Sequence, residues 1–139
     1  MFYFNFMNQV LNVFIIDDDL DDQVLMQQAF ETAGDHVSVK FSTRSDDALG
    51  FLGNCTAAEQ PDIIVSDYNM PMMNGEEFLK RLQQNDRYAN TPKVIVSTAA
   101  SPAIIDSCLE KGAAKYLIKP SDFDDLVKLA TEIMALAKK

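Results

Sequence analysis

The chain has 139 residues, 47% of them hydrophobic and 24% charged, which fits one domain with a buried core and leaves no room for two of ordinary size. A net charge of -9 argues against a sequence-independent grip on nucleic acid, because such binding draws on clustered Lys and Arg. Cys55 and Cys108 lack CxxC spacing, which argues against a zinc site or a disulfide framework; they read as small buried or half-buried thiols in a reducing compartment.

The opening Met1-Phe-Tyr-Phe-Asn-Phe is apolar but has no basic leader and is too short to span a membrane. It reads as an extension over residues 1–8, either an arm that packs on a partner or a segment upstream of a start at Met7. From residue 9 onward, apolar runs of strand length alternate with segments of helical periodicity, the signature of βα units on a parallel sheet. Strands are expected at about 11–16, 37–41, 62–66, 93–97 and 115–118. Four are apolar and β-branched enough for burial on both faces, whereas Val37-Ser-Val-Lys-Phe alternates and reads as an edge.

Between the strands, residue spacing supports five helices. Val24, Leu25, Gln28 and Ala29 share a face of the first; Phe78, Leu79 and Leu82 share a face of the third. Ile104, Ile105, Cys108 and Leu109 do so in the fourth. The last helix carries Leu126, Leu129, Ala130, Ile133, Met134 and Ala137 behind a capping-box pattern from Ser121 to Asp124. His36, beside Gly34 and Asp35, is a loop residue with no nucleophile to serve.

Polar residues stand just past the apolar runs: Asp17 and Asp18 after the first, Asp67 after the third, Thr98 after the fourth and Lys119 after the fifth. In a parallel sheet these converge on the carboxyl edge, where ligands of open α/β sheets bind. Asp19, Asp21 and Asp22 suit the start of the first helix, where carboxylates favour the dipole and cap free N–H groups. Asp17 and Asp18 come earlier, and with Asp67 they make an oxygen-rich pocket suited to Mg²⁺. Asp67, the sole acid leaving a central apolar strand, is a candidate nucleophile of the kind that forms aspartyl phosphates. Lys119, between a strand and Pro120, is a candidate point-charge contact for phosphate. Thr98 and Tyr116, taken alone, fit ordinary β structure and core or rim packing.

Taken in order, Ile-Ile-Asp17-Asp18, Ser-Asp67-Tyr-Asn-Met-Pro with Gly75, Val-Ser-Thr98-Ala and Gly112-Ala-Ala-Lys-Tyr116-Leu-Ile-Lys119-Pro make a specific match. The chain resembles the receiver domains of two-component response regulators, of the stand-alone type with an Asp-rich first turn, similar to those paired with phytochrome-type and other sensor kinases. The resemblance implies a flavodoxin-like (βα)5 doubly wound α/β fold with parallel strand order 2-1-3-4-5 over residues 9–139. It implies Asp67 as phosphoacceptor and Asp18, Asp67 and the Asn69 backbone carbonyl as Mg²⁺ ligands, with Asp17 assisting through water. Lys119 would contact the phosphoryl oxygens, and its bond to Pro120 would be cis, which fixes the loop. Thr98 and Tyr116 would act as the switch pair, and Asn69 and Ala100 would occupy the positions that influence phosphate lifetime. Ser121 departs from the family, where Phe often follows the Lys-Pro pair.

The resemblance further implies a cytoplasmic signalling domain rather than a turnover enzyme, with no membrane insertion and no direct contact to nucleic acid. Its partners would be a sensor histidine kinase or histidine phosphotransfer protein, and downstream a target protein or a homodimer through the fourth-helix, fifth-strand, fifth-helix face. Two rivals have different signatures. An interaction module that keeps the fold without phosphorylation would have no need of the complete acid, threonine and lysine set. A haloacid-dehalogenase-like phosphatase would share the Asp17-x-Asp19 pattern, but Asp21 stands where Thr or Val is expected and the chain has no room for a cap.

Overall fold

The computed structural model describes residues 9–99 and 101–137, so the 1–8 extension and Ala100 lie outside the described residues. Five parallel strands, β1 (Leu11–Ile16), β2 (Val37–Ser42), β3 (Ile63–Asp67), β4 (Lys93–Ser97) and β5 (Lys115–Ile118), form one sheet in the order 2-1-3-4-5. They alternate with α1 (Leu20–Ala33), α2 (Ser45–Asn54), α3 (Gly75–Leu82), α4 (Pro102–Glu110) and α5 (Phe123–Ala135). The expected fold and strand order are both present.

Helices cover both faces of the sheet, as parallel strands require. On one face α1 and α5 pack Met26, Ala29, Phe30, Leu126, Leu129, Ala130 and Ile133 against Val13, Ile15, Val65 and Val96. On the other, α2 and α3 bring Ala48, Leu52, Phe78 and Leu82 against Phe14, Ile16 and Ile64. A third cluster joins Leu79 and Ile95 to Cys108 and Ala113, with Tyr68, Ile104 and Tyr116 packed at its margin. Both cysteines are free and buried, as expected.

Four local expectations are corrected. The buried stripe of α1 is Met26, Ala29 and Phe30; Val24 and Leu25 are exposed, because α1 packs against α5 as well as the sheet and that contact fixes its rotation. In α4 only Cys108 is fully buried and Leu109 is exposed, since this short helix lies over the end of the sheet where few elements meet it. β5 is the second edge of the sheet, so it is only partly buried and Ile118 is 47% exposed. The cap of α5 is Asp122, whose side chain accepts from the Asp125 amide, rather than Ser121.

Candidate phosphoacceptor and cation site

Strand register places the site. Ile16 is level with Ser66, so Asp17 emerges beside Asp67; Ser97 is level with Ile118, so Thr98 emerges beside Lys119. The Asp17 amide donates to the Ser42 carbonyl and the Lys119 amide to the Ser97 carbonyl, which extends the ladders one residue into the site. This tie, rather than a cis peptide, positions Lys119: no described peptide bond is cis, so Lys119–Pro120 is trans, the state favoured for most X–Pro bonds.

Carboxylate oxygens of Asp17, Asp18 and Asp67 all lie within 4.8 Å of one another. Asp17 is buried, Asp67 half-buried and Asp18 exposed, so the cluster opens to solvent on one side. Asp17 Oδ1 accepts the Asp19 amide at 2.9 Å, and Asp67 Oδ1 accepts the Asn69 amide at 3.2 Å. Burial pushes the Asp17 carboxyl above the ordinary 3.8, against the lowering pull of the Asp19 amide and Lys119. Asp67 is likewise raised by burial, opposed by Lys119 and the Asn69 amide and reinforced by the charges of Asp18 and Asp22. Crowded, desolvated carboxylates of this kind gain most from a bound cation. The donor set is all oxygen, without Cys or His, and a hard cation of the Mg²⁺ type fits it.

Lys119 is the ammonium at this site, and its side chain is 12% exposed. Its Nζ lies 2.9 Å from Asp22 Oδ2, 3.2 Å from Asp17 Oδ2 and 3.7 Å from Asp67 Oδ2. Burial works against its charge, but the Asp22 hydrogen bond and the surrounding carboxylates outweigh it and hold the ammonium well above its usual range. Asp19 does cap α1, accepting from the Asp21 and Asp22 amides at 2.9 and 3.1 Å. Asp22, expected to serve the helix end, instead turns its carboxylate onto Lys119.

Thr98 is exposed at the end of β4. Tyr116 donates its hydroxyl to the Ala99 carbonyl at 2.9 Å, which ties β5 to the loop carrying Thr98. On the Asp67 side, Gly75 opens α3 and donates its amide to the Tyr68 carbonyl, while the Asn74 side chain caps the helix through the Glu77 amide. A Cβ at Gly75 would lie 2.9 Å from the Asp67 carbonyl oxygen and 3.0 Å from Tyr68 Cα. The glycine therefore permits the close approach of α3 to the Asp67 corner, a role that sequence reading did not give it.

The sequence and the fold of this chain are matched by known proteins. The model of the response regulator receiver domain matches residues 13–131. Two-component response regulator ARR5 of Arabidopsis thaliana is 30% identical over 91% of this chain and 72% of its own length. ARR17 of the same plant is 30% identical over 92% of this chain and 88% of its own. With ARR3 the alignment covers only 54% of the relative's length. Among solved structures, the chemotaxis response regulator CheY4 of Vibrio cholerae superposes with a TM-score of 0.77 and 26% identity, over 90% of this chain and 99% of that one. The phosphorylated cyanobacterial phytochrome response regulator RcpA superposes with a TM-score of 0.79 at 21% identity, over 90% and 91% of the two chains, a likeness of fold. The chain belongs to the response regulator receiver domain family, a family of signalling domains of two-component systems rather than of classical enzymes.

Proposed function

We propose that this chain is a response regulator receiver domain that accepts a phosphoryl group on Asp67 and signals through a partner protein or a dimer. The observation that carries this reading is the placement of the Asp67 carboxylate within reach of both a cation pocket and the Lys119 ammonium. One Asp67 oxygen attacks phosphorus; the P–N bond of a donor phosphohistidine, or the P–O bond of a small acyl phosphate, breaks, and the donor leaves with that bond's electron pair. Lys119 then meets the new phosphoryl oxygens, and positioning rather than proton transfer supplies most of the acceleration. Mg²⁺ held by Asp17, Asp18, Asp67 and the Asn69 carbonyl would supply charge neutralisation at the same oxygens. Return of the phosphoryl group to water, at a rate influenced by Asn69 and Ala100 in this reading, would set the signal's lifetime and is the only turnover it includes.

Phosphorylation adds negative charge and acceptor oxygens at Asp67. Thr98 is the hydroxyl nearest in register to Lys119, and Tyr116 is tied to its loop through Ala99. The pair therefore forms the switch in this reading. The output face runs over α4, β5 and α5, where Leu109, Ile118 and Phe123 are exposed and β5 is an edge strand among the described residues. The donor is a sensor histidine kinase or a histidine phosphotransfer protein, and the setting is cytoplasmic; no described helix is long and apolar enough to cross a membrane. Residues 9–139 form the receiver in this reading and residues 1–8 an extension.

Fluoroberyllate, a tetrahedral mimic of a phosphoryl group on a carboxylate, tests the reading. With Mg²⁺ present it is expected to raise the melting temperature of the wild type and to leave Asp67→Asn unmoved. An equal response from both proteins would contradict it.

A further inference from the structure

A lysine ammonium has three N–H donors. Here three carboxylates surround it, at 2.9 Å for Asp22, 3.2 Å for Asp17 and 3.7 Å for Asp67. Two of the three, Asp17 and Asp67, also belong to the only carboxylate cluster among the described residues that brings three ligand oxygens together. Asp22 makes the shortest of the contacts and is not part of that cluster. We infer that Asp22 is a positioning residue, the dedicated counter-ion that keeps the Lys119 ammonium beside Asp67 while a divalent cation draws on Asp17 and Asp67. The inference rests on the reading of Asp67 as phosphoacceptor.

The physical argument is one of competition. A divalent cation and an ammonium repel each other, and both call on the same two carboxylates. The Lys119 side chain is flexible and nearly buried, and a buried ammonium deprived of a partner is costly. Without a third acid, the ammonium would leave the site as the cation entered, and the phosphoryl oxygens would lose their contact. Asp22 removes that conflict because α1 holds it in place. Its amide is pinned to the Asp19 cap at 3.1 Å, in the first turn of α1, while its carboxylate accepts from Lys119 Nζ at 2.9 Å. The chain thus separates its acids by task, with Asp18 for the cation, Asp22 for the lysine, and Asp17 and Asp67 shared.

The competing explanation is that Asp22 merely complements the end of α1, as first-turn acids do. The two differ in whether the effect of Asp22 depends on Lys119. Affinities for Mg²⁺ alone, and for fluoroberyllate at saturating Mg²⁺, should be measured on wild type, Asp22→Asn, Lys119→Gln and the double variant, with metal-free melting curves as a check of folding. Asp22→Asn is expected to weaken fluoroberyllate binding by about tenfold, the order of one charge-assisted hydrogen bond. In the Lys119→Gln background the same substitution should change that affinity by less than about twofold. Wild-type affinity in Asp22→Asn, tighter binding, or an equal loss in both backgrounds would overturn the inference. A wild type that binds no fluoroberyllate would overturn the phosphoacceptor reading and this one with it.

Discussion

Gly75 and the paired acids Asp17 and Asp67 carry the most specific demands at the scale of single residues. A methyl group at Gly75 would meet the Asp67–Tyr68 peptide unit, at 2.9 and 3.0 Å, and backbone cannot rotate away as a side chain can. Gly75→Ala is therefore predicted to cost about 1–3 kcal/mol, the usual penalty of forced overpacking, and to weaken Mg²⁺ binding by displacing Asp67. Unchanged stability in a denaturant titration would contradict the close approach. Burial raises both Asp17 and Asp67 above 3.8, so between 3.8 and their folded values the native state binds more protons than the unfolded chain. Stability of the metal-free protein from these groups is then lost as pH rises through that window. Asp67→Asn, which removes one of the raised groups, is predicted to be more stable than the wild type at neutral pH without metal, as read from melting temperatures. A less stable variant would show that the Lys119 pairing outweighs the desolvation.

Among the elements, α3 and α4 are joined by a polar triangle. The Glu76 carboxylate accepts from Ser107 Oγ at 2.7 Å and from Lys111 Nζ at 2.9 Å, and Lys111 donates to Ser107 at 2.9 Å. Ser107 and Lys111 hold the Glu76 carboxyl below the ordinary 4.5. Its contribution is thus present above 4.5 and lost as pH falls through the lowered value. The triangle is partly exposed, so Glu76→Gln is predicted to cost only about 0.5–1 kcal/mol at neutral pH and nothing at a pH well below the lowered value. A loss that persists in acid would contradict the assignment. Element order, strand ends and the edge character of β2 were legible in sequence because alternation and β-branched runs report burial directly. The faces of α1 and α4 were not. Val24 keeps helical spacing with Gln28 and Leu25 with Ala29, yet the stripe that packs is Met26, Ala29 and Phe30, and only the third partner, α5, decides between them. Asp17, Asp18, Asp67 and Lys119 were legible as strand-end residues. The service of Asp22 to Lys119 was not, because Lys119 lies 97 residues further along the chain.

For the molecule as a whole, an acidic chain gathers four carboxylates and one ammonium, three of the carboxylates around that ammonium, at a single sheet edge, and its stability should respond to whatever neutralises them. Saturating Mg²⁺ at a hundredfold excess over its dissociation constant is predicted to add about 2.7 kcal/mol, which for a domain of this size raises the melting temperature by several degrees. Asp18→Ala should lose most of that gain, whereas a full gain in the variant would remove Asp18 from the ligand set. The most direct test of the central claim is intact-mass analysis after incubation with acetyl phosphate, with and without Mg²⁺, on the wild type and on Asp67→Asn. The account predicts one Mg²⁺-dependent phosphoryl group, acid-stable and base-labile, on the wild type alone; a phosphoryl group retained by Asp67→Asn would contradict it.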